Sequence, residues 1–328
     1  MSEQPAVVEW IPASVGGRPG FRLMVVLAAP GCAYYTDAGG CTNCGFPQAF
    51  GTGGPVGVGA YRAQARTALE RIPADAAGPV EVDFYCSGSY LNPTEVPEEA
   101  QVEMLTLAAA HPAVAALLIE SRPQYVTPER LARVVAASGG KPLEIGIGLE
   151  SANAAILARR IHKGYTWEDF AAAAALMAGA GAGLVAYVLL KPLGVGERAA
   201  IEDSTDTALK VFALGRSLGL PVRVALEPCF IAPDTPLQRA FRQDRYRTPW
   251  LWSVAEVVSR AAPHGRVVVG LSDEGMNPDQ VAHNCPACSA RVRAALSRFN
   301  QTGDPEPLGR LECECRLEWQ VDTGPAFA

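Results

Sequence analysis

Cys32, Cys41 and Cys44 share one short glycine-bearing loop that follows the apolar segment Leu23–Ala29, and no other feature constrains the chain as strongly. Eight residues separate the first two cysteines and two separate the second pair. A closed four-iron cluster takes four cysteine thiolates, so three leave one iron free to bind something else. Zinc prefers compact cysteine pairs matched by a second pair, and here Cys41 and Cys44 have only the single Cys32 beside them. Buried structural cysteines seldom gather in a loop among glycines. The spacing therefore favours an open iron–sulfur cluster over zinc or core packing.

The rest of the composition fits a catalytic body of ordinary character. With 328 residues, 49% hydrophobic and 19% charged, the chain can bury a substantial core. No window reaches the apolar length of a membrane span. The start, Met1-Ser-Glu-Gln-Pro5, carries an acid and no basic segment, so no secretory signal is expected. Nine cysteines without such a signal argue for a reducing cytoplasm and for metal binding rather than disulfides.

Short apolar runs alternate with amphipathic ones. Strands are expected at Leu23–Ala29, Glu81–Tyr85, Val114–Ile119, Leu143–Ile147, Leu184–Leu190 and Val222–Leu226. Helices are expected near Tyr61–Ile72, Val96–Ala110, Pro128–Ala137, Trp167–Ala180 and Ala199–Leu218. This alternation implies an α/β fold with a parallel sheet, and six such units make a partial β/α barrel. The expected division is an N-terminal extension over 1–20, the barrel over 21–275 and a small cysteine-rich extension over 276–328. In such folds ligands bind at the carboxyl ends of the strands.

The cysteine loop, followed by Gly45-Phe46, resembles the cluster loop of the radical S-adenosylmethionine (SAM) superfamily. The long first spacing is closest to the branch holding the radical domain of the Elongator acetyltransferase and the radical SAM proteins of archaeosine biosynthesis. Further blocks carry the likeness in the expected order: Tyr85–Leu91, Ile119–Pro123, Gly146–Ser151, Ile161–Gly164, Val188–Pro192 and Pro249–Ser253. Asn43 departs from it, standing where an apolar or aromatic residue is common. The resemblance implies a partial barrel in which Cys32, Cys41 and Cys44 hold a [4Fe-4S] cluster. SAM would chelate the open iron and be cleaved to a 5′-deoxyadenosyl radical that abstracts a substrate hydrogen. A reductase or flavodoxin-type protein would supply the electron.

Every block lies at an expected strand end. Ser87, Gly88 and Ser89 offer hydroxyls and a backbone that a ligand can approach closely, and by resemblance they meet the amino group of SAM. Glu120 and Arg122 can grip a zwitterionic amino acid or form a salt bridge on the barrel rim. Gly146 and Gly148 lack the third glycine of a dinucleotide fingerprint and instead leave room for an adenosyl group, with Glu150 and Ser151 as ribose or methionine contacts. Lys163 and Lys191 are candidates for a carboxylate of SAM or for substrate. Cys86 borders this site as a hydrogen donor or as packing, and Cys229 has no assigned role.

A second cysteine set lies near the carboxyl end, with Cys285 and Cys288 opening an expected helix over Ser289–Asn300 and Cys313 and Cys315 on a strand-like run. Two pairs have the arithmetic of a closed four-thiolate site, met by structural zinc or by a second iron–sulfur cluster.

For the substrate, the net charge of −6 and the compact length favour a small metabolite. The family likeness implies the alternative, a C–N lyase acting on a lysine-modified deazaguanine in tRNA, together with a partner enzyme. The stretch Arg239–Trp250, rich in arginine and aromatic residues and extended by Arg291, Arg293 and Arg298, can hold phosphates and stack a base. A third reading is a non-catalytic zinc-binding protein in which all seven grouped cysteines are structural, although seven does not fill closed tetrahedral sites.

Overall fold

The computed structural model describes residues 3–324; the outermost residues of both expected extensions lie outside the described residues. Eight strands form one sheet in sequence order: β1 Val7–Val15, β2 Arg18–Val26, β3 Val80–Tyr85, β4 Val114–Ser121, β5 Leu143–Glu150, β6 Gly183–Leu190, β7 Val222–Pro228 and β8 Arg266–Val269. The pairs from β2 to β8 are parallel, and β1 runs antiparallel to β2. β2 to β7 are the six expected strands.

β1 and β8 are additions to the sequence reading. Pro12 makes the β1 segment read as a broken strand, yet an edge strand tolerates the missing donor. Gly16 and Gly17, both left-handed at φ 57° and 77°, make the two-residue turn into β2. β2 therefore begins at Arg18, earlier than its apolar run, because β1 supplies a partner for its polar start. β8 is only four residues long and carries no alternation to recognise.

The sheet is curled. Arg223 on β7 pairs with Glu81 on β3 at 2.9 Å, whereas strands four apart in a flat sheet lie about 19 Å from each other. The Tyr187 hydroxyl on β6 likewise reaches that of Tyr85 on β3, 3.4 Å away. The result is a partial barrel with helices outside. Expected helix positions hold closely, because their ends are chemically marked. Thr127 caps Pro128–Ala137, and Trp167–Ala180 starts in a Thr166–Asp169 capping box and stops at left-handed Gly181. Among the described residues no helix is long and apolar enough to cross a membrane.

Behind β8, helix Ser289–Thr302 packs on both β1 and β8 and so spans the two sheet edges. The Asn300 side chain fixes it there, accepting from Val269 N–H and donating to Val269 C=O, each at 2.8 Å.

Candidate active site and tail metal site

The three loop cysteines line one cavity of about 210 Å³ at the carboxyl ends of the strands. Cys32 precedes the short helix Ala33–Ala38, and left-handed Gly39 and Gly40 turn the chain back toward Cys41. Thr42 anchors the far side of the loop, its N–H donating to Ile161 C=O at 3.1 Å. Glu95, only 3% exposed, anchors the near side. Its carboxylate accepts from Ala33 N–H and Asn92 Nδ2, both at 2.9 Å, and from Ser89 N–H. One buried acid thus ties the loop after β2 to the loop after β3.

Burial raises the thiols of Cys32 and Cys44, the latter to about 12 with further repulsion from Cys41. A cationic group is needed to hold them as thiolates. Among the described residues, only the tail cysteines converge closely enough to hold a single ion. The loop thiols face a shared space, an arrangement that a polynuclear group fits.

Nine of the twelve residues expected at the cluster and SAM site line the cavity: Cys32, Cys41, Cys44, Ser87, Gly88, Glu120, Arg122, Glu150 and Lys163. Ser89 is buried behind it, accepting from Arg122 N–H at 3.1 Å. Ser151 lies outside, donating to Asp203 at 2.9 Å. Lys191 also lies outside, 2.5 Å from Glu197.

Glu120 and Arg122 form no ion pair. Arg122 lies over the Tyr34 ring at 4.1 Å and donates to Lys163 C=O at 2.8 Å. Lys163 pairs with Glu150 at 2.7 Å; burial is the largest single influence and opposes its charge, but Glu150, Tyr165 and Cys41 together outweigh it and hold the ammonium well above the usual lysine range. Glu150 adopts a left-handed φ of 66°, a strain of the kind that collects at ligand sites. The space beside Gly146 is taken by the Tyr187 ring and that beside Gly148 by the Lys163–Glu150 pair. Both glycines line the cavity, and a side chain at either would displace these neighbours.

Four ionisable cavity residues escaped the sequence reading: Tyr165, Tyr187, Glu227 and Glu274. Tyr187 and Glu227 occupy inward positions near the ends of β6 and β7, a signal available from strand alternation. Glu274 lies on a loop, where no periodicity marks it. Tyr187, Glu227 and Glu274 also line a second cavity of about 250 Å³ within the barrel, so the two spaces share a wall. Desolvation pushes Glu227 up to about 7 and Glu120 up to about 8, and raises Glu274 as well.

In the tail, Cys285, Cys288, Cys313 and Cys315 bring their sulfurs within 4.8 Å of one another. Cys313 and Cys315 are not on a strand: they sit in a turn, and Cys315 begins helix Arg316–Thr323. Neighbouring separations are 3.5 to 3.7 Å. This cluster can hold a metal. The Pro249–Ser253 block connects it to the barrel, Trp252 Nε1 donating to Cys315 Sγ at 3.4 Å and Trp250 Nε1 to Asp322 at 2.8 Å.

The partial barrel, with its open three-thiol loop at the strand ends and its separate tail thiolate cluster, is that of a radical SAM enzyme. No family model matches the sequence. It is 31% identical over 299 residues to the archaeosine synthase subunit beta of Methanosarcina acetivorans, covering 91% of this chain and 84% of that one. It is also 31% identical over 315 residues to archaeosine synthase subunit beta of Thermococcus kodakarensis, covering 94% and 93%. The chain belongs to the archaeosine synthase subunit beta family of the radical SAM superfamily. Among solved structures, the Methanocaldococcus infernus Elp3 with an N-terminal deletion shares the fold at 16% identity and TM-score 0.51, over 73% of this chain and 57% of that one. Membership in an enzyme family sets aside the non-catalytic zinc reading.

Proposed function

We propose that the protein is a tRNA-modifying radical SAM lyase acting on a deazaguanine-type nucleoside, in preference to a free small metabolite. The observation supporting this reading is the nearly full-length match to two archaeosine synthase beta subunits. The relatives' name also argues for a second subunit as partner.

Cys32, Cys41 and Cys44 hold the [4Fe-4S] cluster, and Ser87, Gly88, Arg122, Glu150 and Lys163 hold SAM. When bound, the cluster would supply the electron for reductive cleavage of SAM. The protein orients and shields. Arg122, held between aromatic rings and a backbone carbonyl, is a fixed donor for a carboxylate. Tyr165 and Tyr187 wall the cavity and keep water out. Glu120, Glu227 and Glu274 form an acidic lining that suits the ammonium of a lysine substituent, since a cation restores the charge that burial disfavours.

The test is anaerobic reconstitution with iron, sulfide, reductant and SAM, using tRNA that carries the lysine-modified base and, in parallel, the free nucleoside. Release of 5′-deoxyadenosine matched by modified tRNA supports the proposal. Turnover of the free nucleoside with none on tRNA would return the reading to a small metabolite.

A further inference from the structure

Two arginine-bearing segments stand beside the cluster loop without entering the cavity. One is the π-helical turn Leu157–Ile161, which exposes Arg159 and Arg160. The other is helix Pro236–Arg242 with the loop behind it, which exposes Arg239, Arg242, Arg245 and Arg247. Thr42 joins both to the cluster loop. Its hydroxyl donates to Arg160 C=O at 2.6 Å, and its carbonyl accepts from Leu237 N–H at 3.3 Å. Cluster loop and basic segments are thus fixed relative to each other. Among the described residues only Arg242 of these six meets a carboxylate, Asp279 at 3.1 Å.

Next to the second segment lies a separate cavity of about 150 Å³, lined by Arg247, Lys191 and Asn284 among others. Asn284 is 3% exposed. Its Oδ1 accepts from Trp252 N–H at 3.3 Å, but its buried Nδ2 has no partner. A buried amide donor calls for an acceptor, and this cavity is the space from which one can reach it. The two carboxylates on the wall leave that role open. Asp322 accepts from Trp250 Nε1, and Glu318 is exposed. Arg247 and the unmet Asn284 amide face this volume together with Lys191, whose ammonium is already paired with Glu197 at 2.5 Å but keeps further N–H donors, and against the carboxylates of Glu318 and Asp322 these donors give a phosphate its seat. On a chain of net charge −6, such a concentration of arginine is what brings a polyanion to one place.

We propose that the two arginine segments and this cavity form a phosphate track for the RNA strand that delivers the substrate base, one phosphate seating against Asn284, Lys191 and Arg247. The inference rests on the tRNA reading above and adds the surface that holds the RNA.

The experiment measures tRNA affinity of the metal-loaded protein across a salt series. Wild type is compared with the combined Arg159→Gln, Arg160→Gln, Arg239→Gln and Arg247→Gln variant, with the isosteric Asn284→Asp, and with Arg18→Gln/Arg71→Gln as an exposed control elsewhere. Each lost phosphate contact lowers the log–log salt slope by about 0.7 to 0.9. The combined variant is expected to lose about 3 from the slope and at least about tenfold in affinity. Asn284→Asp weakens binding by placing a carboxylate against the phosphate, inorganic phosphate competes with tRNA on wild type, and the control binds as wild type. Melting temperatures check that every variant is folded.

Unchanged slopes in a protein that still modifies tRNA would overturn the track and leave the functional reading standing. Phosphate binding lost in Asn284→Asp, with tRNA affinity unmoved in all variants, would make the cavity a free-phosphate site and overturn the track. A wild type that neither binds nor modifies tRNA would bring down both.

Discussion

Glu227 ends β7 with its carboxylate against the Cα of Gly270, a position that any side chain at 270 would contest. Its carboxyl is raised to about 7 chiefly by burial, so the folded protein binds this proton more tightly than the unfolded chain does. Stability therefore falls as pH rises from the ordinary carboxylate range through about 7. Glu227→Gln removes that penalty. It should stabilise the protein by about 1–2 kcal/mol at pH 8 and by almost nothing near pH 4, as melting temperature at the two pH values will show. The same variant should raise KM for the lysine-bearing substrate about tenfold, because a neutral amide grips an ammonium poorly. Stabilisation without a KM effect would remove Glu227 from substrate binding. Strand alternation marks this residue as inward but not its role, because an inward glutamate reads the same as Glu81, which the fold uses in an ion pair with Arg223.

At the level of elements, what the sequence made legible was whatever carried period or punctuation. The six central strands, the capped helices and the cysteine loop all announce themselves locally, and they fall where expected. β1 and β8 do not, since one contains a proline and the other is four residues long. The placement of Ser89, Ser151 and Lys191 outside the cavity was equally hidden, because strand-end position fixes a neighbourhood but not which way a side chain turns. Glu95 shows the same limit from the other side. It belongs to no motif, yet it receives three donors from two loops. Glu95→Ala would leave those buried donors unmet and cost about 2–4 kcal/mol. It should also loosen Cys32 through Ala33, so that iron per chain after reconstitution and desalting falls well below wild type. Full iron retention with unaltered stability would show that the cluster loop holds its shape without this acid.

Across the whole molecule, the tail ties together what the sheet leaves open. Helix Ser289–Thr302 spans β1 and β8, while Trp252 and Trp319 carry hydrogen bonds between the tail thiolates, the last helix and the barrel, Trp319 Nε1 donating to Ser253 Oγ at 2.9 Å. Burial, then the neighbouring thiols, raises Cys288 far above the usual range, so four crowded sulfurs need a cation to carry charge. The spacing suits a single tetrahedral ion such as zinc. Four sulfurs at about 2.3 Å from one tetrahedral zinc lie about 3.8 Å apart, close to the observed 3.5 to 3.7 Å. A four-iron cube binds each thiolate to a different iron and holds them farther apart. Reconstituted protein is therefore expected to carry about four irons and one zinc per chain. Cys288→Ala should lose the zinc and lower the melting temperature while keeping the iron, whereas Cys41→Ala should lose the iron and keep the zinc. Roughly eight irons in wild type would make the tail a second cluster, and loss of both metals in either variant would mean that the two sites are built as one.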